Sequence, residues 1–144
     1  MTKKAYVILS MSIMAFALVA PLSAQSLRLT ANIPFEFMVA GKTLPAGQYT
    51  MSNGSDPYVV LLQGGDHRSG VLTLTNHEEI LQTNDPASMT KLEFNKYGNH
   101  YFLSEVVDGY RGIGYTVPMT RSERELAKTA SVEHFEVLAT LARR

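Results

Sequence analysis

The sequence predicts an all-β fold: a single antiparallel meander of about eight short strands forming a small barrel or sandwich, with one short helix near the C-terminus. Three observations carry this. Apolar and polar residues alternate along short runs, the period of a half-buried strand. Gly, Pro, Asn and Asp punctuate the runs at intervals of roughly 8 to 12 residues. The connections are mostly short, which favours strands that neighbour one another in chain order.

The first strand signal follows Arg28. Ile33, Phe35, Phe37 and Val39 fall on one side of an extended chain, with Glu36 and Met38 on the other. Pro34 has no N–H to give a ladder and belongs near a strand start or an edge. Gly41-Lys42 reads as a tight hairpin turn. In "LPAG", Pro45 suits position i+1 of a type I turn and Gly47 suits i+3. Each unusual residue of "IPFEFMVAGKTLPAGQYTM" thus has a backbone task, so the stretch reads as strands and turns, not as a binding motif.

The rhythm continues. "NGSDP" is a turn, "YVVLLQ" a strand, "GGDHRSG" a turn, and "VLTLTN" a strand alternating Leu with Thr. "KLEFNKYGNHYFLSEV" reads as a hairpin turning near Gly98-Asn99, and "GIGYTVP" as a weaker strand. Asn76 to Ser88 is polar and reads as a long loop. Ser122 with Glu125 three positions on has capping-box spacing, giving a helix from Ser122 to about Thr129. On it Arg121 and Glu125 attract while Arg124 and Lys128 repel, by a few tenths of a kcal/mol each. "SVEHFEVLATLA" fits a strand or a helix; a strand through Val137 or Leu138 is preferred. The predicted inward face is Phe35, Phe37, Tyr49, Val60, Leu62, Leu72, Leu74, Leu92, Phe94, Phe102 and Phe135.

The 144 residues suffice for one domain after a leader. Lys3 and Lys4 precede an apolar run from Ala5 to Ala20, Pro21 breaks it, and Ala24 supplies a small residue before a cut. This is the layout of a signal peptide over residues 1–24, leaving a single β-domain over 25–144 in the periplasm or secreted. The run is shorter than the roughly 20 residues of a spanning helix, so no transmembrane segment is expected after cleavage. Most of the strands fall short of the roughly 9 to 11 residues of a membrane barrel. There is no cysteine, so the domain must hold by its core without disulfides. Removing the leader takes Lys3 and Lys4 and no acid, leaving 11 basic against 13 acidic residues, a formal charge of −2. With no basic stripe, nucleic acid and anionic membrane surfaces are not expected partners.

The blocks "IPFEFMVAGKTLPAGQYTM", "KLEFNKYGNHYFLSEV" and "RSERELAK" together resemble a family of small exported β-rich proteins of the acidobacterial type. Its signature blocks are PFxFxVxGKxLPAGxY, KLxFxxYGxxYFLxEV and SxRERELA. The resemblance covers most of the chain after the leader. It implies a shared exported β-fold and a bacterial source, and it transfers no catalytic residue. The Asn53-Gly54-Ser55 sequon is then turn chemistry and not a glycan site.

No motif for chemistry is complete. His67, His77, His100 and His134 have no metal-ligand spacing, and "HEEIL" has Leu81 where a zinc-protease motif needs its second histidine. Gly65 and Gly70 have a P-loop offset, but Val71-Leu72 stands where Lys-Ser/Thr is required. Asp66, His67 and Ser69 are neighbours in one loop, which is not triad geometry. Glu93 and Glu105 are a carboxylate pair on one hairpin, read as outward strand residues. Tyr97, Tyr101, Tyr110 and Tyr115 gather near Asp108 and Arg111; such tyrosines bind sugars or peptides, and are also ordinary strand residues.

The expectation is therefore no enzyme, no catalytic or metal-binding residue and no cofactor. The chain reads as an exported interaction or structural module of the envelope or extracellular space. The sequence leaves its partner unknown, an envelope protein or a small apolar ligand being the candidates, and the Asn76–Ser88 loop is the expected binding surface, since loops on rigid sheets carry function. The competing reading is a closed barrel that carries a small apolar ligand.

Overall fold

The computed structural model describes residues 27–54, 56–80 and 84–142. The expected leader lies outside the described residues. These form β1 (Arg28–Ile33), β2 (Phe37–Val39), β3 (Lys42–Leu44), β4 (Gly47–Asn53), β5 (Val59–Gly64), β6 (Gly70–Leu74) and β7 (Asn76–Glu79). A helical turn, α1 (Pro86–Met89), precedes β8 (Lys91–Tyr97), β9 (His100–Asp108) and β10 (Ile113–Thr116). The chain ends in α2 (Arg121–Ala127) and β11 (Val132–Leu141).

The fold is all-β. The strands run in the order β3-β2-β9-β8-β11-β1-β4-β5-β6, and β10 pairs with both β9 and β7. Because β6 passes into β7 through Thr75 alone, the path returns to β9 and the sheet nearly closes as a barrel. Among the described residues the strand count is eleven, not eight, and two helices form, not one. Pro34 divides the expected first strand: β1 ends at Ile33, and the chain restarts at Phe37. Nor is the sheet a pure meander. The β2–β3 hairpin is an excursion, so β1 pairs β4, and β2 meets β9 in parallel at Met38 and Phe102.

Local chemistry sets the registers. The β2–β3 hairpin turns on Ala40-Gly41 and not on Gly41-Lys42, because Val39 pairs Lys42. Both turn residues have positive φ, 48° and 77°, the type I′ requirement that suits the twist of two strands. The β8–β9 hairpin turns at Gly98-Asn99 as expected, with Gly98 at φ 61°. In β9, Ser104 is an extra residue: its hydroxyl donates to the Glu93 carbonyl at 3.0 Å, and its own carbonyl accepts from Val117 N–H. Helix α2 starts at Arg121, one residue before the expected Ser122. Its cap is Thr120, whose hydroxyl accepts from Glu123 N–H, as an N-cap should. Glu125 pairs with Lys128 at 2.9 Å. β11 runs as a strand, beyond the expected Leu138, to Leu141.

The interior is filled. Leu27, Leu29, Ile33, Met51, Val60, Leu62, Leu92 and Val106 have no exposure. Phe37 lies edge-on to Tyr49 and Phe94, with centroids 5.2 and 5.5 Å apart; such pairs add about 0.5–1.5 kcal/mol each beyond burial. The Tyr49 hydroxyl donates to the Pro45 carbonyl at 2.7 Å, fastening the "LPAGQY" turn to the core.

Seven of the eleven predicted inward residues are buried: Phe37, Tyr49, Val60, Leu62, Leu92, Phe94 and Phe102. Phe35 and Phe135 sit at a rim, where Phe35 stacks on Tyr101 at 3.9 Å and Phe135 meets both edge-on. Phe35 is half-buried and Phe135 is 37 % exposed. Leu72 and Leu74 point the other way, 64 % and 69 % exposed. The preceding turn decides this. Asp66 accepts from Arg68 N–H and Ser69 N–H, and Gly64 N–H donates to the Ser69 carbonyl. That closure pairs Leu62 with Val71 and Val60 with Thr73, so Val71 and Thr73 share the inward phase. A one-residue change of register exchanges the two faces of a strand.

Candidate functional site

One end of the barrel opens into a recess of about 480 Å³ lined by Asn53, Pro57, His77, Tyr110, Arg111, Ile113 and Tyr115. A second recess of about 450 Å³ shares His77, Arg111 and Ile113 and runs along β7 to Ile80. Barrel mouths are common binding positions, because the sheet holds their rims rigid.

The strands deliver these side chains. Asn53 pairs with Val60 at the inward ends of β4 and β5, and its side-chain oxygen accepts from Leu27 N–H. Tyr115 is opposite His77 across β10 and β7. Tyr58 closes the β4–β5 connection, where its carbonyl accepts from Thr75 N–H, and its ring stacks on His77 with centroids 4.7 Å apart. His77 meets Tyr115 edge-on at 6.3 Å. The result is an aromatic wall on a buried floor.

Arg111 stands across from it. Buried Asp108 accepts from Tyr110 N–H at 3.1 Å and Arg111 N–H at 3.3 Å, and lies 3.6 Å from the Arg111 Nε. The guanidinium is thereby anchored, and a five-donor group keeps N–H groups for the recess. Burial pushes the Tyr115 hydroxyl above its ordinary pKa, against the pull of the Arg111 guanidinium beside it. Ring stacking and directed hydrogen bonding are what this surface can offer a ligand.

Of the tyrosines singled out from the sequence, Tyr110 and Tyr115 do meet Arg111 and Asp108 here. Tyr97 is instead buried against Phe102, and Tyr101 stacks on Phe35. From the sequence, Tyr58 reads as a strand residue and His77 as a histidine without metal-ligand spacing. The signal that joins them is phase: Tyr58 is in step with inward Val60, and His77 with buried Thr73 and Thr75. The expected Asn76–Ser88 loop is in part strand β7 and helical turn α1, because β10 offers β7 a partner; residues 81–83 lie outside the described residues.

The remaining candidates lie apart. His67 sits in the β5–β6 turn at φ 55°, while His100 and His134 are exposed on β9 and β11. Among the described residues no group of His, Asp and Glu has a metal-binding arrangement. Asp66 is committed to the amides of its own loop, which hold its carboxyl below the ordinary value. Gly65 belongs to the same turn.

Glu93 and Glu105 are directly paired across β8 and β9. Lys91 bridges Glu93 at 2.9 Å and also pairs with Glu136. Glu105 lies over Gly114, its pKa raised by burial and then by Glu93 and Glu78. Neither carboxylate lines the recesses at the mouth. No described helix is long and apolar enough to cross a membrane. No family model, curated protein or solved structure matches the chain.

Proposed function

We propose that the protein is an exported, non-catalytic interaction module of the bacterial envelope or extracellular space, related to the acidobacterial-type family its sequence blocks resemble. It engages a protein partner at the barrel mouth, through Tyr58, His77, Tyr110 and Arg111. The observation that carries this reading is the filled interior. Phe37, Tyr49, Phe94 and Phe102 occupy the space a carried apolar molecule would need. Binding is left to the outer surface, and the mouth joins aromatic groups to an anchored guanidinium, the residue types enriched in interface hot spots. The recess also borders β7, within the polar segment expected to meet a partner.

The test is native mass spectrometry of the protein recovered from its own host, with Arg111→Ala and His77→Ala variants alongside. The expected result is a protein partner retained by the parent and lost from variants of unchanged melting temperature. Stoichiometric retention of a small apolar molecule overturns the reading in favour of a carrier. A partner held equally by both variants overturns the assignment of the mouth.

A further inference from the structure

The two ends of the strand path differ in kind. At one end, β3 has three residues, begins with Lys42 and is followed by Pro45, devices that keep a sheet edge from pairing. At the other, β6 has five residues, with no charge, proline or bulge. The part of β11 not paired with β1, residues 132–138, carries Glu133, His134 and Glu136. Among the described edges β6 is therefore the unprotected one.

Its hydrogen-bonding phase is fixed by its neighbours. Thr75 N–H donates to the Tyr58 carbonyl, and Gly64 N–H to the Ser69 carbonyl. In an antiparallel pair, hydrogen-bonded positions alternate along the strand. Val71 and Thr73 thus bond to β5, while Gly70, Leu72 and Leu74 turn their N–H and C=O groups to the open side. Beyond Thr75 the same side is filled by β10, where Ile80 N–H donates to the Gly112 carbonyl. β10 ends at Thr116, opposite Asn76, so no described strand fills the slot beside residues 70–74 along the line β10 occupies further on. The side chains of Leu72 and Leu74 are exposed on the outer face, beside half-buried Leu61 and Val59 of β5.

The geometry points to a second copy of this chain as the occupant, with the two β6 strands antiparallel about a two-fold axis at Leu72. The outward-facing set maps onto itself under that axis: Leu72 pairs with its own copy, and Gly70 pairs with Leu74 of the other chain. Each pairing is a reciprocal hydrogen-bonded one, about six bonds in all. The side chains match as well. Leu72 meets Leu72, and each Leu74 lies over a Gly70 that has no side chain to oppose it. No charge is brought to its like, and isologous contacts of this kind close as dimers without growing further. The join extends the barrel wall across two chains.

The chain has no cysteine, so engineered ones report directly. Residues opposed in a hydrogen-bonded pair have Cα atoms about 5.5 Å apart, inside the span of a disulfide. Mild oxidation of the Leu72→Cys protein isolated from its host is expected to give a covalent dimer. Leu74→Cys, four residues from its own copy in this register, and Leu138→Cys, equally exposed on β11, stay monomeric. In sedimentation equilibrium Leu72→Lys, which sets two like charges opposite each other, raises the dimer dissociation constant at least about tenfold, while at concentrations where the parent is monomeric the two proteins melt alike. A parent protein that sediments as a monomer at its solubility limit overturns the proposal. So does a Leu72→Cys dimer that forms no faster than the Leu138→Cys one, or Leu74→Cys cross-linking at the same rate.

Discussion

Replacing Thr75 with valine should stabilise the protein, against the usual sign of a substitution at a buried site. Thr75 is 3 % exposed at the junction of β6 and β7, and its hydroxyl is buried without a hydrogen-bond partner among the described residues. Its backbone N–H bonds to the Tyr58 carbonyl and is untouched by the change. An unsatisfied buried hydroxyl costs roughly 1–3 kcal/mol in protein mutational series. Valine keeps the branched shape and strand preference while removing that group. A net gain of about 1.5 kcal/mol is expected, taken from the lower half of that range. With a urea m-value of about 1.5 kcal/mol per M for a domain of this size, the midpoint rises by about 1 M. The assay is urea unfolding followed by far-UV circular dichroism, with m compared between the two proteins. An unchanged or lower midpoint at equal m refutes the reasoning and means that the hydroxyl is satisfied by a buried water, which valine would evict.

Three other outcomes follow from named contacts. Ala40 holds φ 48° in the β2–β3 turn, and Ala40→Asn, which makes the preferred Asn-Gly pair, should raise stability by about 0.5–1 kcal/mol; a fall in the urea midpoint counts against the turn assignment. Tyr49→Phe removes the bond to the Pro45 carbonyl and should cost about 1 kcal/mol in the same assay; no loss means that the hydroxyl does not fasten the turn. Glu123 is buried under α2, accepting from the Asn95 amide at 3.1 Å, and desolvation raises its pKa above the ordinary 4.5. The folded state therefore holds this proton more tightly than the unfolded state, so the contribution is full below pH 4.5 and is lost as pH rises through the raised value. Glu123→Gln should flatten this part of the pH–stability curve, leaving the parallel share of Glu105; an identical slope removes Glu123 from the account.

What the sequence determined by itself is what short-range chemistry controls. Alternation marked the strands around Tyr49, Val60, Leu92 and Phe94. Gly98-Asn99 placed the β8–β9 turn, whereas the last segment fitted strand or helix until its pairing with β8 made it a strand. These signals sit within a few residues of what they specify. The tertiary structure decided whatever depends on a distant partner or on a register count. Asn76–Glu79 is polar on both faces and gave no strand signal, yet β10 draws it into the sheet. Leu72 and Leu74 are apolar in strict alternation with threonines, and periodicity cannot say which set faces inward; the Asp66-organised turn settles it by fixing the pairing of Gly64 with Ser69. The mouth is the clearest case. Tyr58, His77, Tyr110 and Arg111 come from two connections and strand β7, and they meet only because the strand path curls back on itself, bringing β7 and β10 beside the end of β5. No spacing within a sequence encodes that closure, because it is the sum of twist and register over the whole sheet.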